Sequence, residues 1–426
     1  MSASVQSLPG SHDITRRELP NGVVVLVREN HHSPSVVIAG SLMAGSLFET
    51  PETNGLATFT ASMLLRGTQQ RDFATIHELL ESNGASLSFS AGRHTVGFSG
   101  KSLAEDLPML VGLLADALRR PTLPPEYVER VRGQIVTHLK VQEQHTRHVA
   151  ARLFRELLYP AEHPYHYLPS GRVETVQPLT REQIVDFHRT HYGPRGMFVV
   201  IVGAVEAEAA IAQVERALGD WQNAAQPEPA PLPPVPPLES VRERTQIMRD
   251  KSQADLVLGV VGPPRNAPDW MATSLANNIF GVFGMYGRIG EVVREKGGMA
   301  YYSFSRLDGG IGPGPWRVIA GVNPANIQPA ITAIRGEIRR LTEELVSEEE
   351  LADNQSYFVG HLPLQLESNE GVAGAIATME RYGLGLDYLL RYGDEVRAVT
   401  REDVREAARH YWHPERYALA IAGPES

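Results

Sequence analysis

Asn54-Gly55-Leu56-Ala57-Thr58-Phe59-Thr60-Ala61-Ser62-Met63-Leu64-Leu65-Arg66-Gly67-Thr68 is the stretch on which the reading of this chain turns. In a helix, Thr58 and Ser62 stand four residues apart and share one face, with Ala61 beside them. A helix that grips zinc places two imidazoles at such i and i+4 positions and a glutamate next to the second, which takes a proton from the metal-bound water. Here the face offers two neutral hydroxyls, poor zinc ligands beside imidazole or thiolate. Ala61 cannot move a proton at all. That face therefore carries no metal or proton-transfer chemistry of its own.

The rest of the chain bounds the possibilities. It has 426 residues, enough for two or more domains, and is 42% hydrophobic and 21% charged. Its mean hydropathy is -0.21, the balance of a globular protein. A formal net charge of -10 argues against nucleic acid or an anionic membrane as the main partner and suits a protein that meets peptides or other proteins. There is no cysteine, so disulfides and thiolate metal sites are excluded. The first ten residues, Met1 to Gly10, carry neither a basic n-region nor an apolar h-region. The chain as it stands is therefore expected to be cytoplasmic, or periplasmic if a leader has been removed. No apolar run is long enough to span a bilayer.

The chain repeats itself. Val176 to Gly203 and Val396 to Gly423 align, with Thr180-Arg181-Glu182 matching Thr400-Arg401-Glu402, Pro194 matching Pro414 and Gly203 matching Gly423. Each copy predicts a Thr-capped helix, a turn and a β-rich run. Arg119-Arg120 and Arg339-Arg340 share the same offset, each pair ending an amphipathic helix. Two related halves follow: an N-terminal domain over 1–222 with the Thr58/Ser62 helix, and a C-terminal domain over 241–426. Between them, 223–240 holds seven prolines from Gln226 to Leu238 and reads as an extended spacer. Strands are expected at Val23–Val27, Val36–Ser41, Ser86–Ser90 and Thr95–Ser99, then again near Gln246–Met248, Asp255–Val260, Ala300–Phe304 and Trp316–Ala320. Helices are expected at Leu103–Leu118, Glu126–Lys140 and His148–Leu157, and almost throughout 326–411. Strands bunched early and helices late in each half give an α+β class, not alternating βαβ units.

These residues resemble the pitrilysin/insulinase zinc metallopeptidases, whose helix reads roughly G-L-A-H-F-L-E-H-M-L-F-K-G-T. Gly55, Leu56, Ala57, Phe59, Met63, Leu64, Gly67 and Thr68 fall in that register. Thr58 and Ser62 replace the two histidines and Ala61 the glutamate. The family's remaining ligand, a glutamate on a later helix, falls near His138. Leu19-Pro20-Asn21-Gly22, Gly45-Ser46-Leu47-Phe48-Glu49-Thr50, His163-Pro164-Tyr165 and Arg294-Glu295-Lys296-Gly297-Gly298-Met299-Ala300-Tyr301 are further landmarks, so the resemblance covers nearly the whole chain.

The resemblance implies two homologous α/β domains, each an antiparallel-rich sheet covered by helices, forming half of a clam-shell peptidase. Bacterial members of this length often work in pairs. One subunit carries H-x-x-E-H, and the other lacks it and carries an Arg/Tyr pair, which here is Arg294 and Tyr301. The resemblance thus implies a non-catalytic subunit with no cofactor of its own, a catalytic H-x-x-E-H partner holding the zinc, and a peptide substrate. A Tyr hydroxyl or Arg guanidinium fits that role because peptide hydrolysis builds negative charge on the carbonyl oxygen. The bland alternative makes Arg294 a surface ion-pair former and Tyr301 a core aromatic. A second reading is a structural or binding protein resembling the core subunits of the respiratory bc complex. His77-Glu78, the His145/His148 and His188/His191 pairs and the Gly-rich run Asp308–Pro315 lack the further ligands or the Lys that metal or phosphate sites need, and Gly281–Gly287 reads as a hinge or a peptide-contacting loop.

Overall fold

The computed structural model describes residues Leu8–Glu425. They form two compact units. In the first, strands β1 (Thr15–Glu18), β2 (Val24–Glu29), β3 (Ser35–Leu42), β4 (Ser86–Ala91), β5 (Val96–Leu103) and β6 (Phe198–Gly203) make one sheet in the order β1-β2-β6-β3-β5-β4. In the second, β7 (Arg242–Ile247), β8 (Ala254–Val261), β9 (Ala300–Leu307), β10 (Pro315–Val322) and β11 (Ala418–Gly423) take the order β7-β11-β8-β10-β9. Each sheet is antiparallel except for one pair, β2 with β6 and β7 with β11. The class is α+β, as the bunching of strands and helices predicts.

The internal repeat is structural. Thr180 and Thr400 each cap a helix, Arg181–His191 and Arg401–Tyr411, in a reciprocal box with Gln183 and Asp403. The strands that follow, β6 and β11, occupy the same place in their sheets, parallel to one neighbour and antiparallel to the other.

The compact units cross the expected domain boundary. The first contains residues up to Lys140, Leu168–Pro231 and Pro363–Leu390, and the second contains Val141–Tyr167, Leu232–Leu362 and the C-terminal stretch from Arg391. Helix Thr146–Leu158, from the N-terminal half of the sequence, packs on β11 and β8 of the second sheet. Helix Asn369–Tyr382, from the C-terminal half, packs on β6 and β3 of the first.

Strand periodicity explains why there is room. Along β11, Leu419 and Ile421 enter the core beneath helices Trp270–Gly281 and Ile327–Glu343. The alternate residues Ala418, Ala420 and Ala422 face Val149, Leu153 and Phe154. Three alanines in a row let a helix backbone approach closely. Along β6, Val199 and Ile201 likewise enter the main core, so Phe198, Val200 and Val202 point to the opposite face. Both faces of each sheet are therefore apolar, and a second helical layer is required.

The Pro-rich run forms no helix or strand. It is not a free spacer: Leu232, Val235 and Leu238 pack against the apolar layer of the second unit. No helix among the described residues is long and apolar enough to cross a membrane.

Candidate functional site

Helix Leu56–Met63 buries Leu56, Ala57, Phe59 and Met63 in the first core. Its N-cap is Gly55, at φ 103°, a left-handed conformation that glycine adopts without strain. Glycine has no side chain to cap the first turn. Glu49 does so from outside the helix: its carboxylate accepts the backbone N–H groups of Ala57 (2.6 Å) and Gly55 (3.0 Å) and the Asn54 amide (3.1 Å). Burial pushes the Glu49 carboxyl up to about 7, outweighing the three N–H donors that pull it down.

The sequence reading quoted Glu49 as a landmark and gave it no role. A helix entered through glycine, with no Ser, Thr or Asp at its cap, is the signal that an acid must come from elsewhere.

The two hydroxyls at the metal positions are spent on backbone carbonyls. Thr58 donates to the Pro169 carbonyl at 2.6 Å, and Ser62 donates to the Thr58 carbonyl at 2.8 Å. Ala61 is buried. His138 sits exposed on helix Pro125–Gln142. That helix lies close to the metal-type helix, because the guanidinium of Arg132 stands over the Phe59 ring at 5.4 Å. A zinc ion does not fit this set: two hydroxyls already committed to carbonyls, one methyl and one exposed imidazole are not a tetrahedral N/S/O site.

Among the described residues, the one cluster with metal-ligand geometry is Glu29, His31 and Glu206. It is exposed and lies at the end of β2, where Glu29 caps the helix Ala207–Leu218 through the Ala207 N–H. It has no connection to the degenerate helix.

Arg294 and Tyr301 lie in the second unit. Arg294 belongs to a π-helical turn, Gly290–Glu295, and is half-buried. Its guanidinium donates to the Met285 sulfur, and among the described residues it forms no ion pair with a carboxylate. The nearby Glu291 pairs instead with Lys296. The turn closes through Gly298, at φ 60°, whose N–H reaches the Arg294 carbonyl at 3.0 Å, while the Met299 N–H reaches the Val293 carbonyl. The chain then enters β9, the edge strand of its sheet.

Tyr301 is 63% exposed there, and its hydroxyl has no partner among the described residues. It is not a core aromatic, and Arg294 is not a surface ion-pair former. The loop before them runs through Gly284, Tyr286 and Gly287 at positive φ, leaving Met285 and Tyr286 exposed.

His188, His191 and His77 pack as structural side chains. His188 bonds the Leu118 carbonyl and is held below the ordinary imidazole range by burial. His191 stacks on Phe48. His77 packs on Phe73.

The fold and these landmarks define a class. Residues 24–163 match the family profile described as insulinase (peptidase family M16), and residues 178–357 match that described as the peptidase M16 inactive domain. The chain belongs to the M16, or insulinase, family. It is 26% identical over 426 residues to an uncharacterised zinc protease of Streptomyces coelicolor, covering 98% of this chain and 92% of that protein. It is 25% identical to the mitochondrial-processing peptidase subunit beta of Mus musculus, covering 95% of this chain and 83% of that one. Among solved structures, a peptidase M16 inactive domain from Pseudomonas fluorescens superposes with a TM-score of 0.88 at 24% identity, over 97% of this chain and 98% of that one. A protease from Helicobacter pylori superposes with a TM-score of 0.88 at 19% identity, over 98% of this chain and all of the other.

Proposed function

We propose that this chain is the non-catalytic subunit of a heterodimeric zinc peptidase. It forms half of a substrate chamber and lends Arg294 and Tyr301 to a zinc site held by an H-x-x-E-H partner. The observation that carries this reading is an asymmetry. The hydroxyls at the metal positions are spent on the protein's own carbonyls. Among the described residues, Arg294 and Tyr301 pair with no carboxylate and no oxygen, so both are open to a substrate carbonyl. The mouse relative is by name a subunit, which supports reading this chain as one of a pair.

In this reading the Tyr301 hydroxyl and the Arg294 guanidinium donate to the scissile carbonyl oxygen as negative charge develops on it. The partner supplies the metal and the nucleophilic water. The compartment follows the partner's: cytoplasmic, or periplasmic if a leader precedes the chain.

The test is co-purification with a candidate H-x-x-E-H subunit, then cleavage of internally quenched peptides. A 1:1 complex that cleaves, with neither chain active alone, is expected. Cleavage by this chain alone, or no association at micromolar concentration, overturns the proposal. A stable complex that never cleaves returns the chain to a structural role like that of a respiratory core subunit.

A further inference from the structure

A cavity of about 330 Å³ opens in the second unit, where the Pro-rich segment meets the end of β8 and the turn after helix Arg401–Tyr411. Its walls are apolar: Val235, Pro236, Pro237 and Leu238 come from the segment, and Val260 and Val261 from β8. Its charged and titratable lining consists of Arg409, His410, His413 and Arg416 beside Tyr411, and no carboxylate lines it.

Two of these four groups have an ordinary explanation. Arg409 and His410 lie in the last helical turn, where positive charge complements the helix's negative end. Arg409 also pairs with Glu406 at 3.4 Å. Arg416 and His413 lie beyond the helix and have no such reason. The nearest acid, Glu415, is occupied by Arg335 and stands 3.8 Å from Arg339. Arg416 forms no ion pair among the described residues. His413 accepts the Glu415 N–H through Nδ1 at 3.1 Å, which leaves Nε2 as the ring's donor. On the same wall the Trp412 indole N–H is buried with no hydrogen-bond partner.

We propose that this cavity binds a carboxylate carried on an apolar body. A neutral apolar molecule would leave the two guanidinium groups of Arg409 and Arg416 unmatched within the cavity. Inorganic phosphate would leave the proline, valine and leucine walls uncovered. A carboxylate takes paired N–H donors from a guanidinium, and its hydrocarbon displaces water from the apolar walls. Two sources share this chemistry: a small free acid, and the C-terminal carboxylate of a peptide ending in an apolar residue. The site also gives the Pro-rich segment a role, as a preformed wall whose extended backbone loses little freedom when a ligand binds. This inference does not depend on the peptidase reading.

The experiment is calorimetric titration of the full chain with 3-phenylpropionate and with N-acetyl-Gly-Gly-Phe, each against its amide, and with inorganic phosphate. Saturable binding of at least one acid, about ten-fold or more tighter than its amide, is expected. Whichever acid binds tighter identifies the source. Arg416→Ala, exposed and expected to keep the parent Tm, should weaken the acid about ten-fold and leave the amide unchanged. Val261→Trp, which fills the cavity, should abolish binding of both. Absence of saturable binding, equal affinity for acid and amide, phosphate binding as tight as the acids, or an Arg416→Ala variant that binds normally would each overturn the proposal.

Discussion

The Glu49 carboxylate accepts the Ala57 N–H at 2.6 Å across a glycine that cannot cap its own helix. One acid thus fixes the entry to the helix on which relatives with the full motif would hold their metal. Its proton balance has a measurable consequence. In the folded chain Glu49 titrates near 7 rather than 4.5, because of burial. Between those values the folded state keeps a proton that the unfolded state has released, so this group makes stability fall as pH rises. His94 acts oppositely. Burial, then Arg93, holds it near 4 rather than 6.5, so the unfolded state takes the proton first and stability falls as pH drops through that window.

The two slopes, each up to about 1.4 kcal/mol per pH unit, oppose each other where the windows overlap. Denaturant titrations of the parent from pH 4.5 to 6.5 should show a shallow profile. Glu49→Gln removes one arm, so its stability should climb with pH over the same range. A Glu49→Gln profile parallel to the parent's would show that Glu49 does not titrate there.

Restoring Thr58→His, Ala61→Glu and Ser62→His should not restore a zinc enzyme. Thr58→His loses the bond to Pro169, and Ala61→Glu puts a carboxylate at a buried site, at a cost of about 2 kcal/mol or more. Elemental analysis after zinc loading and desalting should find clearly less than one zinc per chain. Adding His138→Glu should raise the zinc content. Tight stoichiometric zinc in the unaltered chain would refute the degenerate-site reading.

Tyr301→Phe removes one exposed hydroxyl and leaves packing intact. In the assembled peptidase kcat should fall about 10²-fold with KM changed less, the pattern of a lost transition-state donor. Arg294→Ala should lower kcat and raise KM as well, since a guanidinium also holds the ground-state peptide. Complex formation and the partner's zinc content should not change in either variant. Unaltered kcat in Tyr301→Phe would remove the phenol from the mechanism.

Asp255 is the fastening point of helix Thr146–Leu158. It is buried and accepts hydrogen bonds from the Thr146 hydroxyl at 2.5 Å, the Gln253 amide at 3.1 Å and the Tyr302 hydroxyl. Arg147 lies over the Tyr302 and Phe304 rings at 5.2 Å. Asp255→Ala should cost about 3 kcal/mol, because it strands two hydroxyls and an amide. Hydrogen exchange should show protection lost first in helix Thr146–Leu158. Uniform loss across the second sheet would argue against a local fastening.

The repeat predicts matched caps. Thr180→Ala and Thr400→Ala should each cost about 1 kcal/mol, seen as similar shifts in denaturation midpoint at unchanged slope.

Local signals made much of this molecule legible. Thr180 and Thr400 announced two capped helices and, through their spacing, two related halves. The β-rich run closing Val396–Gly423 announced a strand, and the run from 326 to 411 announced its helices. The helix exchange was hidden because it is a matter of partner choice. Nothing in Thr146–Leu158 says which of two similar apolar sheet faces it will cover. The site divided along the same line. Thr58, Ala61 and Ser62 could be read from spacing. The capping role of Glu49 and the approach of Met285 to Arg294 arise only when loops fold back, and neither has a periodic signature. The Pro-rich run was legible as extended, but its packing through Leu232, Val235 and Leu238 was not.

The exchange of helices also constrains how this chain can be divided. A cut at the Pro-rich segment looks like a cut between repeats, yet each fragment would carry away the other's second covering layer. The N-terminal fragment would expose Phe198, Val200 and Val202, and the C-terminal fragment would expose the alanine row of β11. Neither repeat is a portable module. Each copy supplies the other's second covering layer, so the two are complements that fold as one chain.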